Sequence, residues 1–219
     1  MTRPRRARAA QDKEARAQEI LAAAARLFDR EAYASVTMAA VAREASLAKG
    51  TVYLYFETKE ALFLAVFEDR MEGWFRDVMG RLVAQAGKGG LTGEAIGRLV
   101  ARSLADRATL MRLQAILASV LEHNIDVTTA LAFKLRMVTT MNAAAGLLEQ
   151  GVEALRPGDG VRFLMRMHAL VVGLYPQAYP APAVAEALKD PALAALRVTS
   201  FEDELAEVVV ILLRGWPRE

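Results

Sequence analysis

TMAAVAREASLAKGTVYLYFETK, Thr37 to Lys59, holds two short helical patterns close together. Met38 to Glu44 places Val41 and Ala42 on one face. Ala48 to Phe56 places Val52 and Phe56, four residues apart, on a buried face. The link Ala45-Ser46-Leu47 is too short for the two helices to lie antiparallel, so they must cross, as in a helix-turn-helix. The second helix is expected to expose Lys49, Thr51, Tyr53 and Tyr55. One cation, one hydroxyl and two phenols suit phosphate oxygens and base edges. Gly50 is a poor helix former, but its missing side chain would let another backbone approach closely. Thr58 is the expected N-cap of the next helix, with Lys59 in its first turn.

The run KGTVYLYFETKEALFLAVFE resembles the recognition helix and following helix of the TetR family of transcriptional regulators. The preceding VTMAAVAREA resembles that family's first helix-turn-helix element. The likeness covers roughly residues 10–67 and carries Thr37 and Lys59 onto phosphate-contacting positions, completing with Gly50 the expected DNA face. Three departures stand out. The family usually has Gly where this chain has Ala32, ending the first helix, and again where it has Ser46. Both positions are expected to need φ > 0, which costs a residue with Cβ about 1–2 kcal/mol. The usual Ser cap of the recognition helix is Ala48 here, a loss of about 1 kcal/mol.

The 219 residues contain 54% hydrophobic side chains and no convincing strand-like alternation, so an all-α fold is expected. Zero cysteines exclude disulfides and thiolate chemistry and suit a reducing cytoplasm. The start MTRPRRARAA is basic but lacks the apolar segment of a signal peptide, and no stretch is apolar enough to span a membrane. Net charge is only +2. Residues 1–60 hold 11 of the 28 Lys and Arg against 8 of the 26 Asp and Glu, so positive charge gathers at the end expected to meet DNA. Arg3, Arg5, Arg6 and Arg8 read either as a solvated tail or as an arm reaching the minor groove.

Taken in order, residues 1–9 are expected as a disordered basic arm and 10–58 as a three-helix DNA-binding head. Residues 59–219 are expected as a larger helical effector-binding and dimerisation domain. The first helix should run from Asp12 to Arg30, with Ile20, Ala24, Leu27 and Phe28 as its apolar stripe. A long helix should follow over Lys59–Gln85, and Gly87-Lys88-Gly89-Gly90 reads as a linker, without the spacing of a phosphate-binding loop. Further helices are expected at Thr92–Asp106, Thr109–His123, Asp126–Val152, Gly160–Ala178 and Phe201–Arg214, with a short one at Val184–Leu188. Val161, Leu164, Met165, His168 and Val172 form one stripe, and Leu205, Val208, Val209, Leu212 and Leu213 another, which together suggest a four-helix dimer interface.

Catalytic chemistry is hard to find. The two histidines, His123 and His168, have no partner spacing for a metal, and no G-x-S-x-G, G-x-G-x-x-G or Cys nucleophile occurs. An enzyme is therefore not expected, and neither a metal nor a cofactor. The second half is instead rich in Met, which fills cores but also lines adaptable cavities. Resemblance to the family makes Trp74, Met111, Gln114, Phe133, Met137, Met141, Asn142, His168 and Tyr175 the candidate effector-binding residues. It also implies a homodimer that binds operator DNA, usually represses, and is released by a small, mostly apolar effector. The competing expectation is a helical small-molecule carrier or enzyme whose basic head is incidental.

Overall fold

In the computed structural model, the backbone is described for residues 5–217, and the side chains for the same span except 5–10, 88 and 89. Ten α-helices follow one another: α1 (Arg5–Arg30), α2 (Met38–Glu44), α3 (Lys49–Tyr53), α4 (Lys59–Gly89), α5 (Gly93–Ala105), α6 (Ala108–Ile116), α7 (Val127–Gly151), α8 (Gly160–Ala178), α9 (Pro182–Ala187) and α10 (Phe201–Arg214). No strand occurs among the described residues. Internal contacts divide the chain into two units, Met1–Arg70 with Arg112–Phe133, and Met71–Met111 with Lys134–Glu219.

The first unit is built around the α1 stripe. Ile20, Ala24, Leu27 and Phe28 are all buried, as their helical spacing requires, together with Val41, Val52, Phe63 and Phe67. Phe63 receives two ring edges, from Phe28 at 5.5 Å and Tyr33 at 5.1 Å between centroids. Glu44 on α2 accepts from Arg26 Nε at 2.8 Å and from Arg30 at 2.9 Å, tying α2 to α1. Those two guanidinium groups hold its carboxyl below the usual range.

Helix α1 begins at Arg5, seven residues ahead of Asp12, so residues 5–9 extend a helix where an unstructured arm was expected. Arg3 lies outside the described residues. At the other end, Ala32 does not adopt φ > 0: its φ is −68° and its ψ 148°. The α1 terminus is closed instead by Arg112, distant in sequence. Its guanidinium donates to the Phe28 carbonyl at 2.6 Å and the Glu31 carbonyl at 2.9 Å, and stacks 4.2 Å from the Phe28 ring centre. A side chain thus takes up carbonyls that a left-handed glycine would otherwise leave to backbone donors.

In the second unit α5 and α10 pack backbone to backbone. A Cβ on Gly97 would lie 2.4 Å from Ala206 Cα, so only glycine permits this approach. Salt bridges flank the contact: Arg98 meets Asp203 at 2.7 Å and Glu202 at 3.1 Å, and Arg102 meets Glu202 at 2.7 Å. Gly160 plays the same part at the start of α8, where a Cβ would meet Ala145 of α7 at 2.7 Å.

Three expectations on elements change. The glycine-rich stretch is mostly helix, because α4 continues to Gly89, and only Gly90, at φ 88°, turns the chain. The helix expected over Thr109–His123 is regular only from Ala108 to Ile116. A π-turn at Leu117–Leu121 and a 3-10 turn at Glu122–Asn124 follow, keeping Leu117 and Leu121 buried. Helix α3 ends at Tyr53, three residues short of Phe56.

Candidate nucleic-acid interface

Thr37 is the N-cap of α2, its hydroxyl oxygen accepting from the Ala40 N–H at 3.1 Å. Helix α2 ends in a Schellman arrangement. The Leu47 N–H reaches the Ala42 carbonyl at 2.8 Å and the Ser46 N–H reaches Arg43 at 3.0 Å. That motif needs a left-handed residue, and Ser46 supplies it at φ 57°. It is the one non-glycine residue with positive φ among those described. The turn then delivers Ala48 as N-cap of α3, with no side-chain bond to the helix, as expected from the missing hydroxyl.

Helix α3 is anchored by Val52, which is fully buried, and is short. Its outward side consists of Lys49, Gly50, Tyr53 and Leu54, all exposed. Lys49 and Tyr53 are one turn apart, and the ammonium sits 5.7 Å from the phenol ring centre. Thr51 and Tyr55, expected on the same face, are half-buried. At 100° per residue, alternate positions cannot share one helical face. Leu54 was not singled out from the sequence. The signal was available: it lies out of phase with Val52 and Phe56 and one turn after Gly50.

Thr58 caps α4, accepting from the Ala61 N–H at 3.0 Å. Lys59 is half-buried and folded towards the first unit's interior: its ammonium donates to the Tyr33 carbonyl and lies 4.0 Å from that ring's centre. Burial pulls the Lys59 ammonium below its ordinary value. The Tyr33 hydroxyl donates to Glu60 at 2.9 Å, and burial followed by that carboxylate pushes the phenol well up. Lys59 thus retains further N–H groups beyond the one fixed on Tyr33.

The candidate effector residues do not form one class. Trp74, Met111, Phe133 and Met141 are buried; Gln114, Met137 and Tyr175 are half-buried; Asn142 and His168 are exposed. Gln114 and Phe133 fall in the first unit, where Phe133 packs edge-on against Phe67, and the others in the second. The indole N–H of Trp74 donates to Ser103 Oγ at 2.8 Å, and Ser103 donates on to the Val100 carbonyl at 2.7 Å. The polar edge of Trp74 is therefore spent on the fold. Partial enclosure of its ring, then the Lys134 charge, lowers the affinity of the His168 imidazole for a proton. Tyr175 joins Tyr179 and Phe201, with centroids 4.6 and 5.4 Å away, in an aromatic cluster absent from the sequence reading. Among the described residues no three His, Asp or Glu side chains group as metal ligands, and no helix is long and apolar enough to cross a membrane.

Known proteins agree with this architecture. The EbrR multidrug binding protein, complexed with imidazole, superposes with a TM-score of 0.60 at 18% identity, covering 90% of this chain and 94% of its own. FadR from Bacillus subtilis, in complex with stearoyl-CoA, gives 0.52 at 18% identity, covering 92% and 99%. The fatty acid degradation regulator FadR from Bacillus halodurans gives 0.53 at 17% identity, also covering 92% and 99%. No curated protein matches the sequence significantly. The sequence pattern described as "Bacterial regulatory proteins, tetR family" matches residues 20–66, and "Tetracyclin repressor-like, C-terminal domain" matches residues 68–219. With both halves of the chain matched, the protein belongs to the TetR family and is a helix-turn-helix, DNA-binding regulator of transcription.

Proposed function

We propose that the protein is a homodimeric repressor that reads its operator through α3 and is released by a small, mostly apolar effector. The observation that carries this is the outward side of α3. Lys49, Gly50, Tyr53 and Leu54 are exposed on an element whose other side is anchored by fully buried Val52. Tyr53 is assigned to base edges, with Thr51 and Tyr55 bordering it, and Lys49, Thr37 and Lys59 to phosphates. The Thr37 hydroxyl can still donate while its oxygen caps α2. DNA contact falls within residues 10–58, and effector binding and dimerisation within 59–219. Action on chromosomal DNA puts the protein in the cytoplasm.

A mostly apolar effector is supported by the methionines and aromatic groups of the second half, and a small-molecule effector in general by structures of this fold that hold stearoyl-CoA or imidazole. A ligand moves DNA binding only through its difference in affinity between the two states of the protein. Coupling of about 1–3 kcal/mol would change operator affinity roughly 5- to 150-fold, and DNA must weaken effector binding by the same factor.

A gel-shift with DNA from upstream of the protein's own gene tests the assignment. A retarded complex that survives competitor DNA is expected. Lys59→Ala should weaken binding to all sequences alike and reduce the salt dependence by about one phosphate contact. A protein that retards no duplex, specific or not, contradicts the proposal.

A further inference from the structure

We infer that Leu54, beside the bare backbone of Gly50, is a specificity-determining contact that selects thymine through its 5-methyl group in the major groove. The inference rests on α3 being the DNA-reading element. Leu54 is 80% exposed, against 41% for Tyr53 beside it, so its side chain is spent on none of the first unit's core. It is nevertheless fixed in place. Its N–H donates to the Thr51 carbonyl at 3.1 Å and the Gly50 carbonyl at 3.3 Å, so it closes the last turn of α3 with helical φ and ψ.

Gly50 lies one turn before it on the same side. The fold gives no reason for glycine there. Its φ is outside the left-handed region, and a Cβ built on it would meet no atom within 4 Å. Glycine is a poor helix former, so its presence leaves clearance for something outside the chain. Gly50 and Leu54 thus make an apolar strip directly beside the polar strip of Lys49 and Tyr53. Ammonium and phenol groups address phosphates and base acceptors, whereas an apolar strip has one specific counterpart on the major-groove edge, the thymine methyl. The minor groove presents no such group.

The test uses the full-length protein and an operator obtained by selection from random duplex DNA. Each thymine of the enriched half-site is replaced singly by deoxyuridine, which removes the methyl and leaves every hydrogen-bonding group. Affinities of wild type and Leu54→Ala are measured at one salt concentration, with thermal melts confirming that the variant is folded. At one thymine position the wild type should lose roughly fourfold in affinity, the worth of one methyl-sized apolar group. Leu54→Ala should bind the thymine and uracil operators equally. Equal uracil effects on both proteins, no uracil effect on the wild type, or a half-site without thymine would overturn the inference. Enrichment of no sequence at all would instead bring down the reading of α3 on which it rests.

Discussion

At the scale of single residues, the turn between α2 and α3 is where this chain is under strain. Ser46 at φ 57° occupies a conformation that costs a residue with Cβ about 1–2 kcal/mol. Ser46→Gly should therefore stabilise the protein by about 1 kcal/mol in thermal or denaturant melts, and an unchanged or lower midpoint would contradict the assignment. Ala48→Ser should add about 1 kcal/mol by restoring a cap to α3. Both sites were legible through the family resemblance, which carries a Gly onto Ser46 and a capping Ser onto Ala48, and the tight turn between two short helices keeps each requirement local. Ala32 was not. Its expected left-handed φ is replaced by an extended one, since Arg112, 80 positions further on, supplies the donors. Arg112→Ala should cost about 1 kcal/mol or more of stability, and Ala32→Gly should weaken the protein instead of strengthening it. Gly50→Ala should do the opposite of both. With open space around it, the added methyl should stabilise the protein by about 0.5–1 kcal/mol, raising the melting midpoint, while lowering operator affinity.

At the scale of elements, boundaries with their own local signals were readable. Helices α8 and α10 lie over Gly160–Ala178 and Phe201–Arg214, as their periodicity indicates, and Ser200 caps α10 by accepting from the Asp203 N–H at 3.1 Å. What the sequence hid were packing decisions. The glycines after Gln85 stay helical up to Gly89, and α6 gives way to a π-turn whose irregularity keeps Leu117 and Leu121 inside. The α5–α10 contact is another case, for nothing local marks Gly97 as touching Ala206. The ion cluster beside that contact gives a pH prediction. Glu202 is held below its ordinary range, chiefly by Arg102 and also by Arg98. A carboxylate depressed in the folded state contributes stability above its unfolded pKa and loses it as pH falls through the folded one. Melting temperature should thus hold down to about pH 4.5 and fall below it. Glu202→Gln should lower the neutral-pH midpoint and soften the acid decline. Glu44, held low by Arg26 and Arg30, keeps some decline in that variant. An identical pH profile in wild type and variant would show that the cluster adds nothing to stability.

At the scale of the whole molecule, the two dimer stripes turn out to face both ways. Leu164, Leu205, Val209 and Leu213 are buried within the protomer, Met165 and His168 are exposed, and Val161, Val172, Val208 and Leu212 are half-buried, while Ile211 of α10, outside the expected stripe, is exposed as well. The outward edges are the surface we propose for contact with a second copy. Met165→Glu with Ile211→Glu should convert a dimer to a monomer in sedimentation and weaken operator binding, because a two-fold protein reads two half-sites together. A variant that sediments as the wild type does would place the interface elsewhere. The proposed DNA face was legible as a candidate because it lies in one continuous stretch, though Thr51 and Tyr55 are half-buried. The effector residues could not be ranked, because a pocket is made by distant segments and Trp74, for one, spends its N–H on Ser103. The central claim is that α3 reads operator DNA, and it is tested most directly by the affinities of wild type and Tyr53→Ala for a selected operator duplex. Tyr53→Ala should melt as the wild type does yet lose about 1–3 kcal/mol of operator affinity. Equal affinity in the two proteins would contradict the account.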